Sequence, residues 1–404
     1  MRKLWGRPRR DAGGLFAFRE TGIMRIMLQS QPPWMSAGFS QQIRQILPRM
    51  VGDGHEVACV CIGGLRGGPI ERDGVTYFPA LDDHYGCDAV LQFTPRFQPD
   101  VIFYLQEFWP LDPTFPPRLA ARGLRWIPIV PIDSEPVCAA VERLRHTPEV
   151  ITYSRFGYRQ LEARGIRSTL IPHTVETGVF HPKDRRAARR RFGLPGDHFV
   201  FGMVGVNLGN PSRKGYQHAL WAFERFRRRH PKSVLWLHTF FEAGNGFPIE
   251  AYAQSLGIGD AIYQMDDADQ LFHVDREDLA ELYSSFDCLL APSMAEGFCV
   301  PIIEAMACRV PVIATDFAAM RELIAHGETG LVVRPMCRRL MGTGMLAVEA
   351  DRESLLEQML RIRGEDREAM GERGRRFVAE HYDASRVWER SWRPYLRCLE
   401  TASP

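Results

Sequence analysis

The sequence predicts an α/β protein built from two doubly wound domains, each a parallel sheet covered by helices. Three observations predict it. At 404 residues the chain exceeds the roughly 250–300 residues at which a single core stops growing. Apolar strand-like runs alternate with amphipathic helical stretches along its length. The strand runs are almost continuously apolar rather than alternating, as strands buried on both faces of a parallel sheet are.

In the first half the runs are MRIMLQ (24–29), EVACVCI (56–62), DVIFYL (100–105), RWIPIV (125–130), VITYS (150–154) and STLIP (168–172). Phe39, Ile43, Ile46, Leu47 and Met50 recur at three- and four-residue steps and predict a helix that ends at the glycines of GDGHEV. The second half repeats the pattern with FVFGMVGV (199–206), SVLWLHT (233–239), AIYQM (261–265), DCLLAPS (287–293), VPVIAT (310–315) and TGLVV (329–333). The expected domains are 24–180 and 190–375, joined near HTVETGVFHPKD, where Pro, Gly and polar residues break the pattern. Residues 1–23 read as an unstructured leader, with Met24 a candidate start. The final stretch, 376–400, carries Phe377, Val378, Tyr382, Val387, Trp388, Trp392, Tyr395 and Leu396. Such residues suggest terminal helices that return across both domains, although packing on the second domain alone fits the pattern equally.

A net charge of +2 argues against nucleic acid as a partner. The basic clusters MRKLWGRPRR and KDRRAARRRFG read as solvated faces or tails, with acidic lipid or a phosphorylated partner as the alternative. Nine scattered cysteines show no Cys-x-x-Cys spacing, so neither a disulfide framework nor a zinc site is expected, and a cytoplasmic compartment fits. No apolar run reaches the eighteen residues of a membrane span, and LFAF is too short for a signal peptide core.

Ligands of doubly wound sheets sit beyond the carboxyl ends of the strands, and three segments there carry chemistry. In GVNLGNPSRKGYQHALWAF (205–223) a strand enters a Gly- and Asn-rich loop. Ser212 reads as an N-cap, Arg213 and Lys214 follow, and Tyr216, Ala219, Leu220, Phe223 and Phe226 form a helical stripe. Free amides at a helix start together with two cations suit a diphosphate; a plain basic surface loop is the alternative. After the first strand, Gly38 in QSQPPWMSAGFSQQ lets the backbone approach a ligand, or is simply part of a flexible loop. In MAEGFCVPIIEAMA (294–307), Glu296 hangs in a loop mouth, the amides of Gly297, Phe298, Cys299 and Val300 point outward, and Pro301 opens a helix with Glu304 in its first turn. Two carboxylates then bracket one extended ligand. The plainer alternatives are a solvated Glu296 and a Glu304 that complements the helix dipole.

The segment PSMAEGFCVPIIEAMACRVPVIATD…RELIAHGETGLVV resembles the donor-binding signature of the family 4 retaining glycosyltransferases, in which Glu, seven residues and Glu follow a strand of the second domain. GHEV, QPDVIFY, SRFGYRQLEARGI…LIPHTVETGVFHP and SRKG extend the likeness over about 24–390. The resemblance implies a GT-B fold: two Rossmann-like domains facing a cleft, with a UDP-, GDP- or ADP-sugar held mostly by the second. It implies no cofactor and no metal, and a glycan or lipid-linked acceptor. Peripheral contact with the inner membrane face remains open. By the same resemblance Glu296 and the amides after it contact the donor sugar and phosphates, Glu304 holds the ribose, and Lys214 with Arg213 neutralises the departing diphosphate. Two positions depart from the family pattern. Asn207 stands where members carry a phosphate-loop arginine, and Asp133, in VPIDSEP, stands in for a histidine on the acceptor side; Glu296, Lys214 and Asp133 are thus the candidate catalytic residues.

Three rivals stand. DDAD (266–269) suits a manganese-dependent, single-sheet glycosyltransferase or an acidic turn. A dinucleotide oxidoreductase calls for GxGxxG after a first strand, whereas GGLRGG (63–68) leads into the turn-like PIERDG. A non-catalytic subunit that keeps the fold and binds a nucleotide sugar or a partner enzyme is the third.

Overall fold

A computed structural model describes residues 22–241, 244–266, 274–341 and 344–401. Residues 1–21 of the leader and three residues of DDAD lie outside the described residues.

The first sheet has eight strands: Arg25–Ser30 (β1), Glu56–Cys61 (β2), Ile70–Arg72 (β3), Val75–Phe78 (β4), Val101–Leu105 (β5), Trp126–Val130 (β6), Val150–Thr152 (β7) and Ser168–Leu170 (β8). Their order is β3-β4-β2-β1-β5-β6-β7-β8, parallel except at the β3–β4 edge. The second sheet holds Phe199–Val204 (β9), Ser233–His238 (β10), Ile262–Tyr263 (β11), Cys288–Ala291 (β12), Val312–Thr315 (β13) and Gly330–Val333 (β14), in the order β11-β10-β9-β12-β13-β14 and wholly parallel. Each anticipated strand is present. Burial explains why they were legible: β1, β2, β5, β6, β9, β10, β12 and β13 are nearly solid apolar runs inside the molecule.

Both sheets reverse direction at their first strand, between β1 and β5 and between β9 and β12. At such switch points the loops diverge and leave a crevice. The segments carrying Gly38, Glu107, the 205–215 loop and Glu296 all leave the sheets there.

Two hairpins escaped the sequence analysis. β3 is exposed along its length. So is Pro335–Leu340 (β15), which pairs antiparallel with Leu346–Ala350 (β16). Edge strands facing solvent need no continuous apolar run.

The terminal helices settle the question their sequence left open. The helix Arg367–His381 packs on the second domain, close enough that a Cβ on Gly371 would stand 2.2 Å from the Arg309 carbonyl oxygen. The chain then crosses at Asp383, which bridges to Val175, and Ala384–Thr401 seals the first domain. Trp388 Nε1 and Arg393 both donate to Asp53, at 2.9 and 2.6 Å, and the Tyr395 hydroxyl donates to Glu149 at 2.8 Å. Buried Trp392 meets Phe103 edge-on.

Of the basic run at 183–191 only Arg189 is buried, and Arg186, Arg190 and Arg191 are exposed, as a solvated face would be. Asp184 caps the helix Arg185–Arg191, Arg189 pairs with buried Asp287 at 2.7 Å, and Arg191 pairs with Asp278 and Glu281.

Candidate active site

The second-domain wall is made by two loops leaving the adjacent strands β9 and β12. The first loop ends at Gly215, which takes φ +79° as the cap of the helix Tyr216–Arg229; a Cβ there would stand 2.2 Å from the Pro292 carbonyl oxygen. Only glycine fits this crossing of the two loops. Ser212 is therefore not the N-cap. Its buried hydroxyl accepts from the Lys214 amide at 3.3 Å and so shapes the turn one step earlier. The stripe Tyr216, Ala219, Leu220, Phe223 and Phe226 is fully buried and fixes the helix on its sheet.

The loops are then stitched together. Met294 N donates to Arg213 O at 2.8 Å, Arg213 Nη1 donates to Ala295 O, and Lys214 Nζ donates to Glu296 Oε1 at 2.7 Å. Arg213 Nη1 lies 3.3 Å from Glu296 Oε2. Burial resists ionisation of Glu296, but the charges of Lys214 and Arg213 and their hydrogen bonds outweigh it and hold its pKa at about 2. Glu296 is thus a fixed anion, unable to deliver a proton near neutrality.

Beyond Glu296 the chain turns through Cys299, at φ +77°, into the helix Val300–Ala307. Among the described residues the amides of Gly297, Phe298, Cys299 and Val300 donate to no protein acceptor, although Gly297, Phe298 and Cys299 are buried. Amides without partners in buried residues are rare, and such a run beside two cations is an arrangement able to bind an anion.

Glu304 lies in the second turn of that helix, not the first as expected, because the helix starts at Val300. It is buried, accepts from the Tyr283 hydroxyl at 2.8 Å, and is pushed up to about 7 by burial, with the Tyr283 hydrogen bond and the charge of Arg276 opposing.

The first domain meets this wall directly. A Cβ on Gly297 would stand 2.7 Å from Pro131 Cβ. The Phe298 side chain enters an aromatic recess formed by Tyr153 and His173, which stack at 3.7 Å, and by Tyr382. Burial pushes His173 down to about 3, so its imidazole is neutral. Asp133, buried just past β6, feels the charges of Arg213 and Glu296, and burial raises it to about 6.

The structure therefore gathers Lys214, Arg213, Glu296, the four amides and Asp133 at one junction. Asn207 works elsewhere, which corrects its assignment as a donor contact. It is fully buried, its Nδ2 donates to Phe247 O at 2.8 Å, and its Oδ1 accepts from Phe247 N at 3.0 Å. The side chain holds a neighbouring loop and has no amide group left for a phosphate. Gly38 opens the helix Gly38–Gly52, exposed and with open space where a Cβ would be. Sequence analysis passed over Glu107, Tyr153 and His173. The available signal for Glu107 was its place two residues after β5.

Residues 184–377 match the family model for glycosyl transferases group 1. The match spans the second domain. A D-inositol 3-phosphate glycosyltransferase of Stackebrandtia nassauensis is 32% identical over 173 residues, covering 41% of this chain and 37% of that protein. A lipopolysaccharide core biosynthesis mannosyltransferase of Rhizobium meliloti is 28% identical over 243 residues, 54% and 63% of the two chains. The chain thus spans less than two thirds of the length of the curated relatives it matches. Among solved structures, sucrose-phosphate synthase from Thermosynechococcus elongatus superposes with a TM-score of 0.76 at 19% identity, covering 94% of this chain and all of that one. The Anabaena protein HepE, solved with UDP-glucose, gives 0.70 at 16% identity over 92% and 99%. These likenesses establish the GT-B fold. No helix among the described residues is long and apolar enough to cross a membrane.

Proposed function

We propose that the protein is a family 4 retaining glycosyltransferase that moves a sugar from a UDP-, GDP- or ADP-sugar to a hydroxyl of a glycan, lipid-linked or small-molecule acceptor in the cytoplasm. The observation that carries this reading is the Lys214–Glu296 contact of 2.7 Å beside four unpaired amides. Glycosyl transfer needs a diphosphate to depart while positive charge grows at the anomeric carbon, and preorganised donors around the leaving group supply the largest stabilisation. Lys214, Arg213 and the amides of Gly297 to Val300 are such donors, so the mechanism calls for no divalent ion. Glu296, permanently ionised, orients the sugar hydroxyls; Glu304 holds the ribose.

The bond from the anomeric carbon to the phosphate oxygen breaks, and the acceptor oxygen bonds to the same face. The acceptor proton passes to the leaving phosphate oxygen, which accounts for the absence of a separate base in this reading. Phe298, packed on Tyr153 and His173, keeps water from one flank of the reacting atoms.

The decisive experiment incubates purified protein with UDP-, GDP- and ADP-sugars, with and without acceptors, and measures nucleoside diphosphate. One donor is expected to raise the melting temperature and to be turned over at a rate unchanged by EDTA. Donor binding without release under any pairing overturns the reading in favour of a non-catalytic nucleotide-sugar-binding subunit.

A further inference from the structure

Arg276 opens the helix Arg276–Ser285, and reciprocal bonds between Asp275 and Asp278, at 2.9 and 3.2 Å, fix that start. Its guanidinium carbon lies 5.7 Å from the centre of the buried Phe180 ring. Phe180 in turn meets Tyr283 edge-on at 6.2 Å, and the Tyr283 hydroxyl donates to Glu304 at 2.8 Å. One run of contacts thus ties Arg276 to Glu304.

The hydrogen bonding of Arg276 is incomplete in a specific way. Nε and Nη2 are both buried, and neither finds an acceptor among the described residues. These two nitrogens carry the parallel N–H bonds along one edge of the guanidinium, the edge that pairs side-on with two adjacent acceptors. Buried polar groups without partners are rare in folded proteins, so the edge calls for an occupant. The carboxylates around it are engaged elsewhere: Glu176 pairs with Arg49 at 2.8 Å, Glu277 pairs with Lys183 at 2.7 Å, and Glu304 accepts from Tyr283.

A second unpartnered group lies on the same face of the sheet. Val234 and Trp236 of β10 share a core with Ala280 and Tyr283 of that helix, and strand alternation puts His238 on their side at the carboxyl end of β10. His238 Nδ1 is buried without a partner, and burial pushes the imidazole down to about 4, so it is neutral.

The charges along the second-domain wall are ordered. Glu296 feels Lys214 and Arg213, whereas Glu304, in the second turn of the following helix, feels Arg276. A nucleoside diphosphate with its phosphates at Lys214 and its ribose at Glu304 therefore presents its base to Arg276. Guanine offers a side-on arginine two adjacent acceptors, O6 and N7, whereas adenine places a donor beside N7 and uracil has only O4 on the corresponding edge.

We infer that Arg276 selects the donor, with Nε and Nη2 donating to O6 and N7 of guanine, so that the donor is a GDP-sugar and UDP- and ADP-sugars bind more weakly. This role rests on the glycosyl-transfer reading, but base selection is measurable without turnover.

The test titrates GDP, inosine diphosphate, 7-deaza-GDP, ADP, UDP and pyrophosphate by calorimetry into the full chain in metal-free buffer. GDP is expected to bind at least about tenfold more tightly than ADP and UDP, the selectivity of one bidentate contact. Inosine diphosphate keeps O6 and N7 and is expected within about threefold of GDP, while 7-deaza-GDP lacks the N7 acceptor and is expected to bind about tenfold more weakly. Arg276→Lys keeps the charge and loses the fork, and is expected to bring GDP and UDP to within about threefold of each other with pyrophosphate affinity unchanged. If the variant fails to fold, the nucleotide series on the parent protein still decides. Tighter binding of UDP or ADP, equal binding of 7-deaza-GDP and GDP, a GDP advantage kept by the variant, or pyrophosphate binding that depends on Arg276 each overturns the assignment. Guanine selection through Arg276 with no GDP released from any GDP-sugar leaves the assignment standing and removes the transfer reading. Release of UDP or ADP from their sugars, without preference for GDP, does the reverse.

Discussion

The two walls of the cleft meet at Pro131 and Gly297 but are built on opposite electrostatic plans. On the second-domain wall Lys214 and Arg213 are matched by Glu296, and the unpaired groups are backbone donors. On the first-domain wall the charged groups near the contact are carboxylates, Glu107 and Asp133, both raised by burial. One wall suits an anion and the other a cation or a hydroxyl, which is the polarity expected of a diphosphate donor facing its acceptor. Chemical preference thus resides in separable halves, and each half can be broken alone.

The largest effect is expected on the donor wall. Lys214→Ala or Glu296→Ala should slow nucleotide release by about 10²–10³-fold, the usual loss for one preorganised group. Lys214→Ala also leaves the buried Glu296 carboxylate to Arg213 alone, at a cost of up to about 3 kcal/mol in stability. The double variant Lys214→Ala, Glu296→Gln should regain most of the melting temperature and none of the rate. Recovery of rate would place the pair in a structural role.

Where the walls touch, Gly297→Ala forces them apart at Pro131 and should lower kcat about tenfold to a hundredfold through misplacement alone, with donor affinity little changed. An unaltered rate would mean that the contact does not set catalytic geometry.

Asn207→Ala distinguishes support from recognition. It leaves the backbone of Phe247 without its partners and should cost about 1–3 kcal/mol in chemical denaturation, while donor affinity at saturating stability conditions falls by less than threefold. The opposite split would restore Asn207 to the phosphate site.

The smallest effect concerns Glu304. Its folded pKa of about 7 lies above the ordinary carboxylate value, so between the two values the folded state binds more protons and stability falls as pH rises. Glu304→Gln should therefore melt about 2–4 °C above the parent at pH 8 and match it near pH 5, while binding donor more weakly at pH 8. A constant difference across pH would contradict the buried acid.

Legibility followed burial and locality. Strands β1, β2, β5, β9 and β12 could be read because both their faces are covered, leaving runs with few polar residues. The exposed β3 and β15 could not. Within the site, Lys214, Glu296 and the amides were legible because each lies in a short segment after a strand, and helix-start chemistry is local. Ser212 was misjudged because the turn continues three residues to Gly215 before the helix begins. Glu304 was placed one turn too early for the opposite reason, because its helix starts at Val300, ahead of Pro301. Asn207 stands at the right place in its loop, and only the distant Phe247 shows that its amide is occupied.

The sequence by itself determined the two parallel sheets, the helix that follows each chemistry-bearing loop, and the two acids bracketing a Gly-Pro turn. Periodicity and turn chemistry act over a few residues and are written directly in the chain. Tertiary structure alone decided that Lys214 and Glu296, 82 positions apart, form one ion pair, that Phe298 enters the Tyr153–His173 recess, and that Gly297 meets Pro131 where the two domains touch. Charge balance depends on which groups converge and how much water they lose, and the order of residues along one strand and loop contains neither quantity.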